Sequence, residues 1–218
     1  ILGESLLTSK SSNYLFYSLK EFLFKNNKFT NDWNPLNVLS TDAARVGSYD
    51  LDIVNEKNEL IKELNENKFE LIYLLGQDNL LFNKKDEFII YQGSHGDKGA
   101  EIADIILPGA AYTEQSGHYT NLEGKIQKAY KASYPPGEAK EDWQIINELA
   151  ELMNNRKLFN DKDELESSMF NYINLRKNNS NQFDISNKND DQIKDYNLEV
   201  TVKDYYFSNV IARASKTM

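Results

Sequence analysis

Short apolar runs separated by helical patterns dominate the first two thirds of the chain. The runs cover residues 69–75, 87–91 and 103–107, and a glycine closes each of them, at Gly76, Gly93 and Gly109. Because the runs are rich in Ile and Leu and apolar on both faces, they are typical of buried parallel strands. The pattern predicts an α/β fold with a mostly parallel sheet flanked by helices. The glycines are predicted to lie at the carboxyl edge of the sheet, where open α/β sheets bind ligands.

Apolar residues at helical spacing surround these runs. They predict helices at residues 14–23, 32–46, 56–67, 141–153 and 158–175, with Ser11, Ser12 or Asn13 as the first N-cap. The second of these helices would have Pro35 in its first turn and Gly47 just past its end. Further strands are predicted at residues 1–3, 124–132 and 198–202, and a last helix from about Ser208.

Charge and cysteine content exclude several functions. The 218 residues include 25 basic and 34 acidic residues, so the net charge is −9. This balance argues against nucleic acid and against an anionic membrane surface as partners, since both require clustered Lys and Arg. The chain has no cysteine and two histidines, which excludes disulfides, Cys-ligated iron–sulfur clusters and a His-rich metal site. The abundant Asn and Lys, both with AT-rich codons, favour an AT-rich genome such as an organelle's over a merely polar surface.

One glycine-rich loop, residues 92–99, follows the second apolar run. Such a loop can bind phosphate through backbone N–H groups. It has neither the dinucleotide-binding spacing nor the Walker spacing. A tight strand-to-helix turn that needs the backbone freedom of glycine is therefore the favoured alternative.

Other candidate chemistry lies in and after this loop. His95 and His118 are candidate bases or ligands, and Ser94 beside His95 is a candidate nucleophile. Adjacent side chains seldom supply a Ser–His pair, and no G-x-S-x-G elbow is present, so we expect both histidines to form local hydrogen bonds in loops. Glu114 and Glu123 are candidate paired carboxylates for acid–base chemistry. The favoured alternative is that they hydrogen-bond turn amides and fix the loop.

Residues 99–127 resemble the hallmark of the molybdopterin oxidoreductase superfamily, which contains A-D-x-x-L-P, E-x-x-G and N-x-E-G-R-x-Q in this order. The matching positions are Ala103, Asp104, Leu107, Pro108, Glu114, Gly117, Asn121, Glu123, Gly124 and Gln127. Lys125 stands where the family usually has Arg, which keeps the charge and loses the planar fork. The resemblance implies that these residues form a structural fold motif. It assigns no catalytic, cofactor-binding or metal-binding residue to this chain.

Residues 90–99, 107–114, 135–143 and 204–218 further resemble the largest peripheral-arm iron–sulfur subunit of respiratory complex I. In that subunit the clusters lie in an N-terminal portion, and this chain resembles only the C-terminal part. The resemblance implies no cofactor on this chain, with iron–sulfur clusters and FMN on partner chains. The absence of cysteine agrees with this expectation.

The resemblance and the composition together predict a domain organisation. By resemblance, residues 1–155 would be a molybdopterin-oxidoreductase-like α/β domain, partial and completed by another chain, and residues 198–218 a C-terminal docking segment. Residues 156–176 are predicted to be a helical extension. Residues 177–197, which are low in apolar residues and rich in Asn, are predicted to be a loop or disordered insert.

The function implied is that of a structural, non-catalytic part of the peripheral arm of complex I, on the matrix side of the mitochondrial inner membrane. The expected partners are the N-terminal iron–sulfur part of the same large polypeptide, as a separate chain, and other peripheral-arm subunits. We expect no nucleic acid and no direct membrane insertion. A naturally split subunit and a cropped fragment would both begin at Ile1. Two alternatives are the cofactor-cleft half of an active molybdenum or tungsten oxidoreductase, and a stand-alone small-molecule binder.

Overall fold

The computed structural model describes residues 1–7, 9, 11–30, 33–40, 42–53, 59–179, 206 and 209–217. The chain divides into two compact units. The first comprises Ile1–Leu51, Tyr119–Gln127 and Tyr172–Tyr205. The second comprises Asp52–His118, Lys128–Asn171 and Tyr206–Met218.

The described residues form eight helices and five strands, with most of the strands in the middle of the chain. The helices are α1 (Glu4–Leu7), α2 (Ser12–Lys25), α3 (Arg45–Asp50), α4 (Leu60–Asn65), α5 (Lys98–Ile102), α6 (Asp142–Asn154), α7 (Lys162–Asn179) and α8 (Val210–Ala214). The strands are β1 (Leu71–Leu75), β2 (Phe88–Gly93), β3 (Ile105–Pro108), β4 (Gly117–Thr120) and β5 (Ile126–Ala129).

The three apolar runs form one parallel sheet, as predicted. Its strand order is β1-β2-β3. Tyr73 of β1 pairs with Ile90 of β2, which pairs in turn with Ile105 of β3. The predicted α/β fold class with a parallel sheet is therefore confirmed.

The core of the second unit lies against one face of this sheet. Leu74, Ile89 and Tyr91 are its fully buried members. They pack against Leu80 and Phe82 from the β1–β2 connection, and against apolar residues of α5 and the segment after it. Successive strand residues point to opposite faces, so this cluster contains every second residue of β1 and β2.

The helix predicted over residues 32–46 is wrong. Within its described part, residues 33–40 form no helix, and the Leu36 N–H donates to Asn34 Oδ1 at 3.0 Å. A residue before proline is disfavoured in the α region, so Asn34 resists helix formation before Pro35. Val38 instead forms a parallel bridge with Leu2, which agrees with the strand character predicted for residues 1–3. The helix begins only at Arg45 and contains the glycine that had been expected to end it.

Several boundaries also differ from the sequence predictions. The strand expected at residues 124–132 is the shorter β5, which pairs with β4 in a separate two-stranded sheet and not in the parallel one. Residues 177–179, predicted to open the insert, belong to α7. The rest of the insert and the strand predicted at residues 198–202 lie outside the described residues. The last helix is α8, which begins at Val210.

Candidate functional site

The carboxyl edge of the parallel sheet carries the three glycines predicted to lie there. Gly76 follows β1, Gly93 ends β2 and Gly109 follows β3. The Gly76 N–H donates to the Gln92 carbonyl at 2.7 Å, and the Gly109 N–H donates to the Gly93 carbonyl at 2.9 Å. The backbone hydrogen bonds therefore continue one residue past the strands and hold the three loops together at this edge.

The glycine-rich loop wraps around a buried tyrosine. The Tyr91 hydroxyl lies 3.0 Å from Asp78 Oδ2 and 3.1 Å from the His95 carbonyl oxygen. Asp78 Oδ1 accepts a hydrogen bond from the Gly99 N–H at 3.2 Å. A Cβ atom at Gly99 would lie 2.5 Å from the Tyr91 ring, and one at Gly93 would overlap the Tyr91 hydroxyl. The glycines are thus required by the close approach of the backbone to this ring.

Burial and the Asp78 carboxylate change the acidity of this tyrosine. Tyr91 is only 1% exposed. Burial is the larger cause and the hydrogen bond to Asp78 the next, and together they raise the pKa of Tyr91 above its usual range. The hydroxyl is therefore protonated at neutral pH and acts as a hydrogen-bond donor.

A carboxylate sits at the start of α5, where a phosphate would have to bind. Asp97 is the N-cap, and its Oδ1 accepts a hydrogen bond from the Lys98 N–H at 2.9 Å. Its Oδ2 pairs with Arg213 Nε of the C-terminal segment at 2.7 Å. The Arg213 guanidinium holds the pKa of Asp97 below its usual range, although partial burial opposes this shift. The loop is therefore a tight strand-to-helix turn whose helix terminus is satisfied by its own acid.

Ser94 and His95 hydrogen-bond to each other, which is the local hydrogen bond expected for His95. Ser94 Oγ lies 2.9 Å from His95 Nδ1 in an exposed part of the loop. Within the described part of the chain, no carboxylate hydrogen-bonds the His95 ring. The pair consequently lacks the third group that would orient a base.

Polar side chains of β1, β2, α6 and the loop between β3 and β4 fill the rest of the edge. Gln92 is fully buried, and its Nε2 donates to Asp142 Oδ1 at 2.7 Å. Gln115 Nε2 donates to Asp142 Oδ2 at 2.7 Å, and the Asp142 N–H donates back to Gln115 Oε1 at 3.1 Å. The Tyr73 hydroxyl donates to Gln92 Oε1. A Cβ atom at Gly109 would lie 2.9 Å from Asp142 Oδ1, so this network reaches the backbone itself.

Sequence reasoning missed this network. In the sequence, Asp142 falls at the start of the helix predicted over residues 141–153 and Gln92 at the start of the glycine-rich loop, and neither pattern indicates that the two side chains meet. The available signal was Gln92 itself, a polar residue at the end of the central apolar run. A polar side chain that is buried there needs a buried hydrogen-bond partner.

The first part of the family motif joins β2 to β3. Asp104 Oδ2 accepts a hydrogen bond from the Ile89 N–H at 2.8 Å, and the Asp104 N–H donates to the Ile89 carbonyl at 2.8 Å. Asp104 Oδ1 also pairs with Lys84 Nζ at 2.7 Å, which is the main cause of the lowered pKa of this carboxyl. Ala103 packs against the core, while Leu107 and Pro108 pair with Gln92 and Gly93.

Glu114 closes the turn that follows β3. Its Oε2 accepts a hydrogen bond from the Ala111 N–H at 2.9 Å, and its own N–H donates to the Ala111 carbonyl at 2.8 Å. This geometry is that of the structural alternative, in which a Glu fixes turn amides. Gly117 opens β4, and nothing lies within 4 Å of a Cβ placed there.

The second part of the motif forms the turn between β4 and β5. Asn121 Oδ1 accepts hydrogen bonds from the N–H groups of Glu123 at 3.0 Å and Lys125 at 2.9 Å. Gly124 has φ +78°, a left-handed conformation that favours glycine after this type of turn. Glu123 and Gln127 are exposed. The hypothesis that Glu123 caps buried turn amides is therefore wrong, because Asn121 performs this task.

His118 lies in a strand and not in a loop. Its ring packs edge-on against Phe170 of α7, with centroids 5.3 Å apart. Its Nε2 is 4.0 Å from Glu166 Oε2, which also pairs with Lys128 Nζ at 2.8 Å. The hydrogen bond from Lys128 is the main cause of the lowered pKa of Glu166. The contacts of His118 therefore fix α7 and do not resemble those of a catalytic base.

A buried asparagine also anchors the start of the C-terminal region. Asn147 Oδ1 accepts hydrogen bonds from the N–H groups of Leu158 at 2.8 Å and Phe159 at 3.0 Å. Its Nδ2 donates to the Phe159 carbonyl at 2.8 Å. Lys162 is the first residue of α7, and its Nζ donates to the Ser116 carbonyl at 2.7 Å.

The described residues form neither a metal site nor a membrane span. Within the ranges that the structure describes, no group of three or more His, Asp or Glu side chains is placed to hold a metal ion. None of the helices described there has the length and apolar character that a membrane-spanning segment requires.

The family to which the chain belongs follows from comparison of its sequence with known protein families. Residues 1–152 match the sequence profile of the molybdopterin oxidoreductase family, so the chain belongs to this family. Residues 164–218 match a second profile, that of the C-terminal region of the G-type subunit of NADH-ubiquinone oxidoreductase.

Individual relatives agree with both profiles. The chain is 36% identical over 228 residues to the NADH-ubiquinone oxidoreductase 75 kDa subunit of Reclinomonas americana, with all of this chain and 33% of the relative covered. It is 37% identical over 240 residues to the mitochondrial 78 kDa subunit of Candida albicans, covering 100% of this chain and 32% of the relative. It is 38% identical over 223 residues to the G-type subunit of the NADH-quinone oxidoreductase of Rickettsia bellii, covering 100% of this chain and 32% of the relative. The chain thus spans about a third of the length of these relatives, and the resemblance deduced from the motif is confirmed.

Proposed function

We propose that this chain is a structural, non-catalytic part of the peripheral arm of respiratory complex I, on the matrix side of the mitochondrial inner membrane. The observation that carries the proposal is that the two profiles together cover most of the chain, the second being specific to one type of complex I subunit. Relatives from two eukaryotes and a bacterium are all named as subunits of NADH oxidoreductases and match over the whole chain.

The contacts between the two profile regions support a scaffold role. Lys128 and His118 of the first region both face Glu166 of the second. Arg213, near the C-terminus, pairs with Asp97 in the glycine-rich loop. The C-terminal region therefore contacts the loop that would border a cofactor in an active member of the family. In this chain the contact gives the loop a structural role.

A pterin cofactor does not fit the carboxyl edge that the structure shows. A pyrophosphate-bearing ligand needs free N–H donors and positive charge at such a loop. Here the Gly99 and Lys98 amides donate to Asp78 and Asp97, and the Tyr91 ring fills the space beside the glycines. Two carboxylates, Asp97 and Asp142, face the edge. This arrangement disfavours the alternative of an active molybdenum or tungsten oxidoreductase.

The proposal includes partners and cofactors. The chain would pack against the N-terminal, cluster-bearing portion of the same subunit and against other peripheral-arm subunits. Electron transfer from FMN through iron–sulfur clusters would take place on those portions, because this chain has no cysteine to ligate a cluster.

The test is affinity isolation of the tagged chain from detergent-solubilised membranes of its source, followed by mass spectrometry and metal analysis. We expect complex I subunits, iron, and neither molybdenum nor tungsten in stoichiometric amount. Mass spectrometry also shows whether the cluster-bearing portion is a separate polypeptide. Recovery of the chain alone, or with a molybdenum-containing complex, would contradict the proposal.

A further inference from the structure

The parallel sheet has one covered face and one open face. The covered face carries the buried cluster of Leu74, Ile89 and Tyr91. The residues between them in sequence point the other way. We call this second surface the open face, and its residues are Leu71, Tyr73, Leu75, Phe88, Ile90, Ile105 and Leu107.

The two faces differ in exposure along β1 and β2, whereas the edge strand β3 is exposed on both, since Ile106 of the covered face is itself 55% exposed. On the open face, Leu71 is 55% exposed, Leu75 51%, Ile105 45% and Phe88 43%. Tyr73, Ile90 and Leu107 are half-buried. Gln92, which shares this face, is buried because α6 and its network cover only the carboxyl end of the sheet.

Such a surface is costly to leave in water. Parallel sheets occur almost only with both faces covered, since their crossover connections place helices on each side. The open face has apolar side chains on all three strands and no charged one among its residues. A contiguous apolar surface of this kind marks an interaction site.

A cavity lies at the outer edge of β1. It has a volume of about 360 Å³ and is lined mainly by apolar residues of α4, of the β1–β2 connection and of both faces of β1. In the described residues, no strand pairs with β1 on its outer side.

We infer that the open face is a docking surface for an amphipathic helical layer from the remainder of the subunit. This inference deepens the proposed function and rests on it for the identity of the partner. The relatives are about three times as long as this chain, so about two thirds of that subunit lies outside the matched region. The neutral, apolar surface requires the apolar stripe of a helix and not a charged peptide.

A photo-cross-linker placed on the open face tests the inference. Phe88→p-benzoylphenylalanine keeps an aromatic side chain at a position 43% exposed, and the matched control is the same substitution at Leu152 of α6, which is 82% exposed. Irradiation of the assembled complex is expected to cross-link position 88 to a helical segment of the rest of the subunit. The same cross-linker at position 152 should not give this product. Cross-links only to another subunit, to a second copy or within this chain would overturn the inference, as would none.

A charge variant provides a second readout. Ile105→Glu should reduce co-purification of the chain with the rest of its subunit by about tenfold or more, because an unpaired carboxylate would be buried under the partner. Leu152→Glu should leave co-purification unchanged, and equal losses in both variants would overturn the inference. If the helical partner is captured outside an NADH-oxidising assembly, the inference holds and the proposed function fails. If the chain assembles into complex I but position 88 contacts a different subunit, the proposed function holds and the inference fails.

Discussion

Removing one oxygen from the tyrosine inside the glycine-rich loop should destabilise the second unit. In Tyr91→Phe the ring stays in place against Gly93 and Gly99, while the hydroxyl that contacts Asp78 Oδ2 at 3.0 Å is lost. Both partners are buried, at 1% and 6% exposure. A hydrogen bond to a charged group contributes about 1.5–3 kcal/mol, and the substitution leaves a buried Asp78 oxygen without this donor. We therefore expect the free energy of unfolding to fall by about 1.5–3 kcal/mol.

Urea denaturation of the purified chain, followed by tryptophan fluorescence, measures this change. Tyr112→Phe is the matched control, because that side chain is 63% exposed, and it should change the free energy of unfolding by less than about 0.5 kcal/mol. Equal effects of the two substitutions would refute the assignment of Tyr91 to a buried hydrogen-bond network.

The same tyrosine also predicts an alkaline pH dependence. Burial and the Asp78 hydrogen bond raise the pKa of Tyr91, so the unfolded chain releases this proton before the folded chain does. The corresponding stability is fully present below about pH 10, the ordinary pKa of tyrosine, and is lost as the pH rises above it. The stability difference between the wild type and Tyr91→Phe should therefore shrink above about pH 10.

Three further substitutions test other parts of the account. Gly99→Ala places a Cβ 2.5 Å from a buried ring and should cost about 1–3 kcal/mol in urea denaturation, whereas Gly117→Ala meets nothing within 4 Å and should be nearly neutral. Asn121→Ala removes the acceptor of two turn N–H groups and should lower the free energy of unfolding by about 1 kcal/mol. Glu123→Ala should stay within about 0.5 kcal/mol of the wild type. A larger loss of stability in Glu123→Ala than in Asn121→Ala would show that the glutamate is the capping residue. Arg213→Gln should increase the rate of hydrogen exchange in residues 209–217, because the ion pair with Asp97 is lost. In the wild type the same ion pair should be lost only when the pH falls through the lowered pKa of Asp97, so the two proteins should exchange alike only at such low pH.

The parallel sheet and its glycine-bearing edge could be predicted from the sequence because short, two-sided apolar runs have few other structures available. The failure at residues 32–46 has one local and one long-range cause. The apolar spacing there suits a helix, but the residue before Pro35 is disfavoured in the α region, and the Leu2–Val38 bridge involves residues distant in sequence.

The site was only partly predictable for a similar reason. The motif positions were visible as a pattern, yet their tasks depend on which backbone group each side chain reaches. Glu114 bonds the amide of Ala111, while Glu123, with the same chemistry, points to solvent. The link between Gln92 and Asp142 joins residues 50 positions apart, which no local pattern can reveal.

Native gel electrophoresis of solubilised membranes from the source, with mass spectrometry across the lane, tests the central claim most directly. If the chain is a structural part of complex I, it will migrate with a very large assembly that oxidises NADH in the gel. Migration as a small soluble species, or with a molybdenum-containing complex, would contradict the account.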